Sequence, residues 1–262
     1  MTNTVKTIAD ALVAAARDRA PIAPIAASLG ANAGLDAAYA VQDRITEDAL
    51  AAGRRLVGRK IGLTSAAVQA QMGVGQPDYG VLFADMEFGD GDEIPAGRLI
   101  QPKVEAEIAL VLDRDLPDAD TTPSELQRAV AYAVPAMEIV DSRIRDWKIG
   151  ILDTVADNAS SGLYVLGGRP VKLSDFDIRL CGMVMETGGQ PVSFGAGAAC
   201  MGNPMNAALW LVRKMAQIGR PMVAGDVILS GALGPMVQAT PGADFRVRIE
   251  GLGAVSTIFS KG

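Results

Sequence analysis

Apolar residues recur at helical spacing over residues 4–18, at Val5, Ile8, Leu12, Val13 and Ala16, and predict a first helix. Pro21 and Pro24 forbid its continuation, so residues 20–34 read as a connector. A second helix is predicted over 36–52, with Tyr39, Val41, Ile45 and Leu50 near one side and Gly53 as its stop. From Leu56 the pattern changes to short apolar runs cut by Gly, Pro and Asp. They are RLVGRKIGLT, RLIQPKVEAEIALVLD, AYAVPAMEIVD, GLYVLGG, LCGMVMETGGQPVS, DVILSGALG and FRVRIEGLGAVSTIFS. This is strand punctuation. Helices are predicted to interrupt it at 65–71, 122–132 and 204–219, the last with Asn203 as N-cap, Pro204 in the first turn and Gly219 as stop. The pattern therefore predicts an α+β chain: a helical N-terminal region over 1–55, then a strand-rich domain over 56–262.

Composition narrows the chemistry. With 262 residues and 49% apolar side chains, the chain is long enough to bury one substantial core. Its net charge of −6 and aromatic content of 5% argue against nucleic-acid binding, which needs basic clusters or stacking platforms. There is no histidine at all. That removes imidazole triads, His-based zinc sites and His proton shuttles, and leaves proton transfer to Asp, Glu, Lys, Tyr, Cys or water. Any metal would be held mainly by oxygen. Cys181 and Cys200 lack the spacing of a redox pair or zinc knuckle and read as ordinary reduced side chains. The uncharged run 187–212 carries too many Gly and Pro for a membrane helix, and the N-terminus shows no secretory pattern. The expectation is a soluble cytoplasmic protein with no membrane partner.

The sharpest local feature is VEAEIALVL. On a strand, Glu105 and Glu107 face one side while Val104, Ala106, Ile108, Leu110 and Leu112 face the other. Such alternation most often marks a solvated polar face. Glu138, however, sits mid-run in AVPAMEIVD, where a buried carboxylate needs a partner. Three carboxylates and no histidine suit a hard cation such as Mg²⁺ or Mn²⁺, provided the two strands adjoin. Lys60 lies in the glycine-flanked GRKIG, and pattern alone favours an exposed position. QPDYG reads as a turn, with Asp78 a turn residue. Residues 153–162 gather small polar side chains that line a pocket or cap a loop. Gly195 and Gly197 precede a helix, but the dinucleotide fingerprint fails at Cys200 and excludes a nicotinamide site. Met72, Leu82, Phe83, Trp147 and Met236 are candidates for a substrate-tail pocket, although each fits a core role better.

Four segments together, VGRKIGLTSAAVQAQMGVGQPDYGVLFADM, LIQPKVEAEIALVLDRDL, PAMEIVDSRIRDWKIGILDTVADNASSGLYVLG and AGDVILSGALGPMV, resemble the 2-keto-4-pentenoate hydratases of the fumarylacetoacetate-hydrolase-like superfamily. The likeness runs from about Asp36 to the C-terminus. It implies a mixed β-roll behind a helical N-terminal region, a homo-oligomer, and a divalent metal on Glu105, Glu107 and Glu138. It places the family's proton-transfer lysine on Lys60, the PDYG aspartate on Asp78, and the serine of DNASSG on Ser160 or Ser161. Ser160 is expected to hold the substrate carboxylate, with Ser161 and Leu63 as further substrate contacts. The implied reaction is metal-dependent hydration of 2-hydroxypenta-2,4-dienoate to 4-hydroxy-2-oxopentanoate, a step in aromatic catabolism that needs no organic cofactor. Two alternatives are a vinylogous decarboxylase of the 4-oxalocrotonate type and a non-catalytic scaffold. Association with a partner decarboxylase or aldolase belongs to the same set of expectations.

Overall fold

The computed structural model describes residues 2–65, 68–70 and 73–261. Helix α1 (Thr2–Asp18) and helix α3 (Leu35–Ala51) match the two helical periodicities, and a short helix α2 (Ala26–Leu29) forms once Pro24 is passed. The helix expected over 65–71 falls partly outside the described residues; within it, 68–70 are helical. Thr122 caps helix α4 (Pro123–Ala129) reciprocally with Glu125. The helix expected over 122–132 therefore ends three residues early. Val130 and Tyr132 instead join a strand, because each pairs with the neighbouring strand at Leu112 and Val111. Helix α5 (Ile151–Ala156) is a short addition, and helix α6 (Pro204–Gln217) starts under the predicted Asn203 cap, whose Oδ1 accepts from the Met205 amide at 3.0 Å.

The described strands form two mixed sheets. The larger contains β1 (Leu56–Gly62), β2 (Asp78–Phe83), β3 (Glu87–Gly89), β5 (Lys103–Leu112), β6 (Val130–Val140), β7 (Ser161–Leu166) and β10 (Val227–Leu229), in the order β2-β1-β10-β5-β6-β7-β3. Strand β11 (Val237–Gln238) adds to β5. The smaller sheet orders β4 (Glu93–Ile94), β8 (Gly182–Thr187), β9 (Gln190–Ala196), β12 (Asp244–Ile249) and β13 (Gly253–Phe259) as β4-β13-β12-β8-β9. The segment 76–80 is a turn only as far as Pro77. Asp78 already opens β2 and pairs with Gly62.

Curvature of the larger sheet positions the site. Lys60 on β1 and Glu138 on β6 stand three strands apart, about 14 Å along a flat sheet. Their charged atoms are nevertheless 3.1 Å apart, and β2 and β7, five positions apart in the order, are in contact, so the sheet curls into a roll. Asn158 fastens the curl: its Oδ1 accepts from the Val81 amide at 2.7 Å and its Nδ2 donates to the Val81 carbonyl at 3.0 Å. A single apolar core spans both sheets, with Phe245, Val247, Val255 and Phe259 of the smaller sheet joined to Ile108, Met137 and Tyr164 of the larger. A second cluster packs α1 and α3 on α5 and Ile144, so the N-terminal helices are tied to the wall of the roll.

Candidate active site

Strand β5 divides its residues as the alternation requires. Val104, Ala106, Ile108, Leu110 and Leu112 are buried in the core, and Glu105 and Glu107 share the opposite face. Strand β6 runs antiparallel beside it, with Glu138 directly across from Glu105. One carboxylate oxygen from each of Glu105, Glu107 and Glu138 lies within 4.8 Å of the other two. The backbone amide of Gly231 donates to Glu107 Oε2 at 2.8 Å. Gly231 has φ +101°, and a Cβ there would stand 2.4 Å from the Thr64 side chain, so the position admits only glycine. Glu107 Oε1 and Glu138 Oε2 are buried without a hydrogen-bond partner, and Glu138 Oε1 meets the Lys60 ammonium.

This arrangement is unfavourable for anions. Burial, reinforced by Glu138, pushes the Glu105 carboxyl up to about 7, and burial with Glu138 and Glu105 drives Glu107 well above the carboxylate range. Burial also raises Glu138, despite the Lys60 ammonium beside it. Three converging carboxylates, two of them with oxygens that lack a hydrogen-bond donor, are what a hard divalent cation satisfies. The residues present therefore fit such an ion.

Lys60 corrects the pattern-based expectation of exposure: it is 3% exposed. Its Nζ pairs with Glu138 Oε1 at 3.1 Å and donates to the Ala159 carbonyl at 2.9 Å. Burial lowers its pKa, but Glu138, Asp78, Glu105 and Glu107 together outweigh that and hold it above the ordinary lysine range. Asp78 is buried with both oxygens unpartnered, and burial raises its pKa against the pull of Lys60. A Cβ on Gly62 would stand 2.2 Å from Asp78 Oδ1 and 3.6 Å from Lys60 Nζ. Both groups thus border the space that glycine leaves open, without a direct ion pair between them.

Asn158, Ala159 and Ser160 form a strained corner, all three with positive φ (54°, 51° and 54°). Each left-handed non-glycine residue costs on the order of 1 kcal/mol, so the corner needs support. Asn158 supplies it through Val81, and Arg143 supplies it by binding Asp157 from its backbone amide at 2.9 Å and from Nε. The result aims the Ala159 carbonyl at Lys60 and puts Ser160 on the wall of a cavity of about 690 Å³. Lys60, Leu63, Asp78, Glu105, Trp147 and Met236 line the same cavity.

Ser161 is not brought to this cavity. One residue further along, it points into a separate space lined by Arg54, Asp141 and Arg143, because successive residues entering β7 face opposite ways. Of the five tail-pocket candidates, Trp147 and Met236 line the cavity, Leu82 and Phe83 are core, and Met72 lies outside the described residues. Lys103 is not singled out by the sequence, and Thr154 lies within the 153–162 run that reads equally as a pocket wall or a loop cap. Lys103 precedes Glu105 on the same strand face and holds its Nζ 4.2 Å over the Trp147 ring, which the β5 alternation already implied. Thr154 comes from α5, whose helical turn has no strong sequence signal.

The family model for the fumarylacetoacetate hydrolase C-terminal region matches residues 58–259. The chain belongs to the fumarylacetoacetate hydrolase family. Within the family it is 60% identical over 249 residues to 2-keto-4-pentenoate hydratase 1 of Dechloromonas aromatica (strain RCB), covering 95% of this chain and 94% of the relative. It is 58% identical over 260 residues to the TodF product hydratase of Pseudomonas putida (strain F1), covering 99% and 97%. Among solved structures, it resembles 4-oxalocrotonate decarboxylase from Pseudomonas putida G7, complexed with magnesium and adipate. The TM-score is 0.95 at 36% identity, over 99% of this chain and 98% of that one. The fold class expected from the sequence is thus the one observed.

Proposed function

We propose that the protein is a metal-dependent hydratase that adds water to 2-hydroxypenta-2,4-dienoate and yields 4-hydroxy-2-oxopentanoate. The observation that carries the reading is the convergence of Glu105, Glu107 and Glu138, with Lys60 paired to Glu138, at a cavity whose wall includes Glu105, Lys60 and Asp78. Relatives named as hydratases at 53–60% identity support the same reaction. Residues 56–262 form the catalytic unit in this reading, and 1–55 its helical cover.

Glu105, Glu107 and Glu138 would hold the cation. Mg²⁺ or Mn²⁺ bound there supplies positive charge to the substrate's carboxylate and 2-oxygen and polarises the oxo group. Proton transfer from the 2-hydroxyl to C5 turns the dienol into an unsaturated ketone, and C4 becomes electrophilic. Water then adds at C4 and a proton at C3, so the net change is one water. Lys60 is the proton-transfer residue, kept protonated by the carboxylates around it, and Asp78 is its partner or orients the water. Ser160 hydrogen-bonds the substrate carboxylate, and Leu63 contacts the substrate chain. The same reading takes the protein to be a cytoplasmic homo-oligomer; the exposed Leu180 and Phe194 support assembly, and two buried free cysteines suit a reducing compartment.

A vinylogous decarboxylase is the second reading, favoured by the close structural likeness to 4-oxalocrotonate decarboxylase. The hydratases are the nearer in sequence, 60% against 36%. Following dienol consumption with and without chelator, and identifying the product by mass, tests the proposal. We expect hydroxyketone formation that stops when metal is removed and returns with Mg²⁺. Unchanged turnover after complete metal removal, or release of CO₂ from the diacid in place of hydration, would overturn it.

A further inference from the structure

Helical threonines normally satisfy a buried hydroxyl on the carbonyl one turn back. Thr7 donates to Asn3 at 2.9 Å and Thr46 to Gln42 at 2.9 Å in this chain. Thr154 does not. It is 7% exposed, its amide bonds the Gly150 carbonyl at 3.0 Å, and its Oγ1 is buried without a partner. An unpartnered buried hydroxyl is a cost the fold would shed by using valine, which has the same shape.

The neighbours of Thr154 fix where that hydroxyl goes. Asp153 Oδ1 accepts from the amides of Ile25 (2.6 Å) and Ala26 (3.0 Å), and its Oδ2 accepts from Gly150 at 2.9 Å. Val155 and Ala156 are buried against α1 and α3. Helix α5 is thereby clamped on its other sides, and Thr154 lines the cavity that also contains Asp78, Glu105 and Ser160. Ser160 Oγ is likewise buried and unpartnered. Two orphan hydroxyls on one cavity wall await oxygen atoms from a ligand.

We infer that Thr154 is a substrate-binding residue whose hydroxyl, together with Ser160, hydrogen-bonds the oxo-acid end of the bound substrate. This deepens the hydratase reading and rests on the cavity being its substrate site, though not on the reaction catalysed there. The test uses the full-length protein, Mg²⁺ and the unreactive saturated analogue 2-oxopentanoate, with binding followed by calorimetry. Thr154→Val should keep Mg²⁺ affinity and ligand-free thermal stability, and should weaken 2-oxopentanoate binding about tenfold, the size of one lost hydrogen bond. In turnover, KM should rise by a similar factor with a smaller change in kcat. Thr154→Ser should restore binding.

Four results would overturn the inference. They are wild-type analogue affinity in Thr154→Val; a fall in kcat alone; a ligand-free Thr154→Val less stable than the parent, which would reveal a structural partner; and failure of Thr154→Ser to rescue. A wild-type chain that binds Mg²⁺ but no analogue also refutes it and leaves the metal site standing. A chain that binds neither refutes the functional reading as well.

Discussion

At Lys60 the sign of a buried charge is decided by its neighbours. Desolvation pushes the ammonium towards neutrality, and four surrounding carboxylates push back harder. The protonated form prevails, so in the proposed reading Lys60 enters the reaction carrying its proton. Replacing it with a neutral side chain of similar length removes the acid without removing any ligand atom. Lys60→Met is expected to bind Mg²⁺ at least as tightly as the parent and to lose roughly a hundredfold or more in kcat. Calorimetry and steady-state assays check the two halves; wild-type turnover would take Lys60 out of its role. The identity of this residue was legible in GRKIG, but its burial was not. Flanking glycines look the same in an exposed strand end, and the groups that enclose Lys60 come from β2, β6 and the 158–160 corner. Asp78 was hidden for a related reason, since Pro77 and Gly80 give strand β2 the composition of a turn.

Strand pairing does at the next scale what no single side chain can. The two-residue repeat in VEAEIALVL assigns faces from sequence alone, and the structure buries Val104, Ala106, Ile108, Leu110 and Leu112 in the core and brings Glu105 and Glu107 together. Adjacency of β5 and β6 was beyond reach, because the connection through α4 fixes no register. Register then sets Glu105 opposite Glu138, and a slip of one residue would turn either carboxylate into the core. Close pairing makes the site pH-sensitive. Glu105 titrates at about 7 in the folded chain against an ordinary 4.5, so between those values the folded state holds a proton that the unfolded chain has released. Metal-free stability must therefore fall as pH rises through that window. Asp157, raised to about 6 chiefly by burial against the pull of Arg143, adds a fall of the same sign that metal does not touch. The increment in melting temperature given by Mg²⁺ should consequently be larger at pH 8 than at pH 5.5. An equal increment at both would show that the glutamates do not bind the ion in their charged form.

Over the whole molecule, a chain without histidine uses curvature to gather oxygen. The larger sheet rolls until β2 approaches β7 and the Lys60 side chain of β1 reaches Glu138 of β6, Asn158 fastens the seam, and the N-terminal helices brace α5 against the roll. Sequence periodicity gave the longer helices α1, α3 and α6, most of α4 and most strands, and the α+β class with them, but not the short helices α2 and α5. It missed the closure of the sheet, because closure rests on contacts such as Val81 with Asn158 that are 77 residues apart. It left Thr154 undecided between pocket wall and loop cap and misdirected Ser161 for the same reason: which side of a corner faces a cavity is settled only when the corner is folded. The proposed function depends on one ion that Glu105, Glu107 and Glu138 would hold. Titration of the purified chain with Mn²⁺, followed by the loss of the free-ion paramagnetic signal, measures this directly. The wild type should take up one ion per chain, and Glu138→Gln should bind it roughly a hundredfold or more weakly. A folded Glu138→Gln protein that binds Mn²⁺ with the parent's affinity would contradict the account.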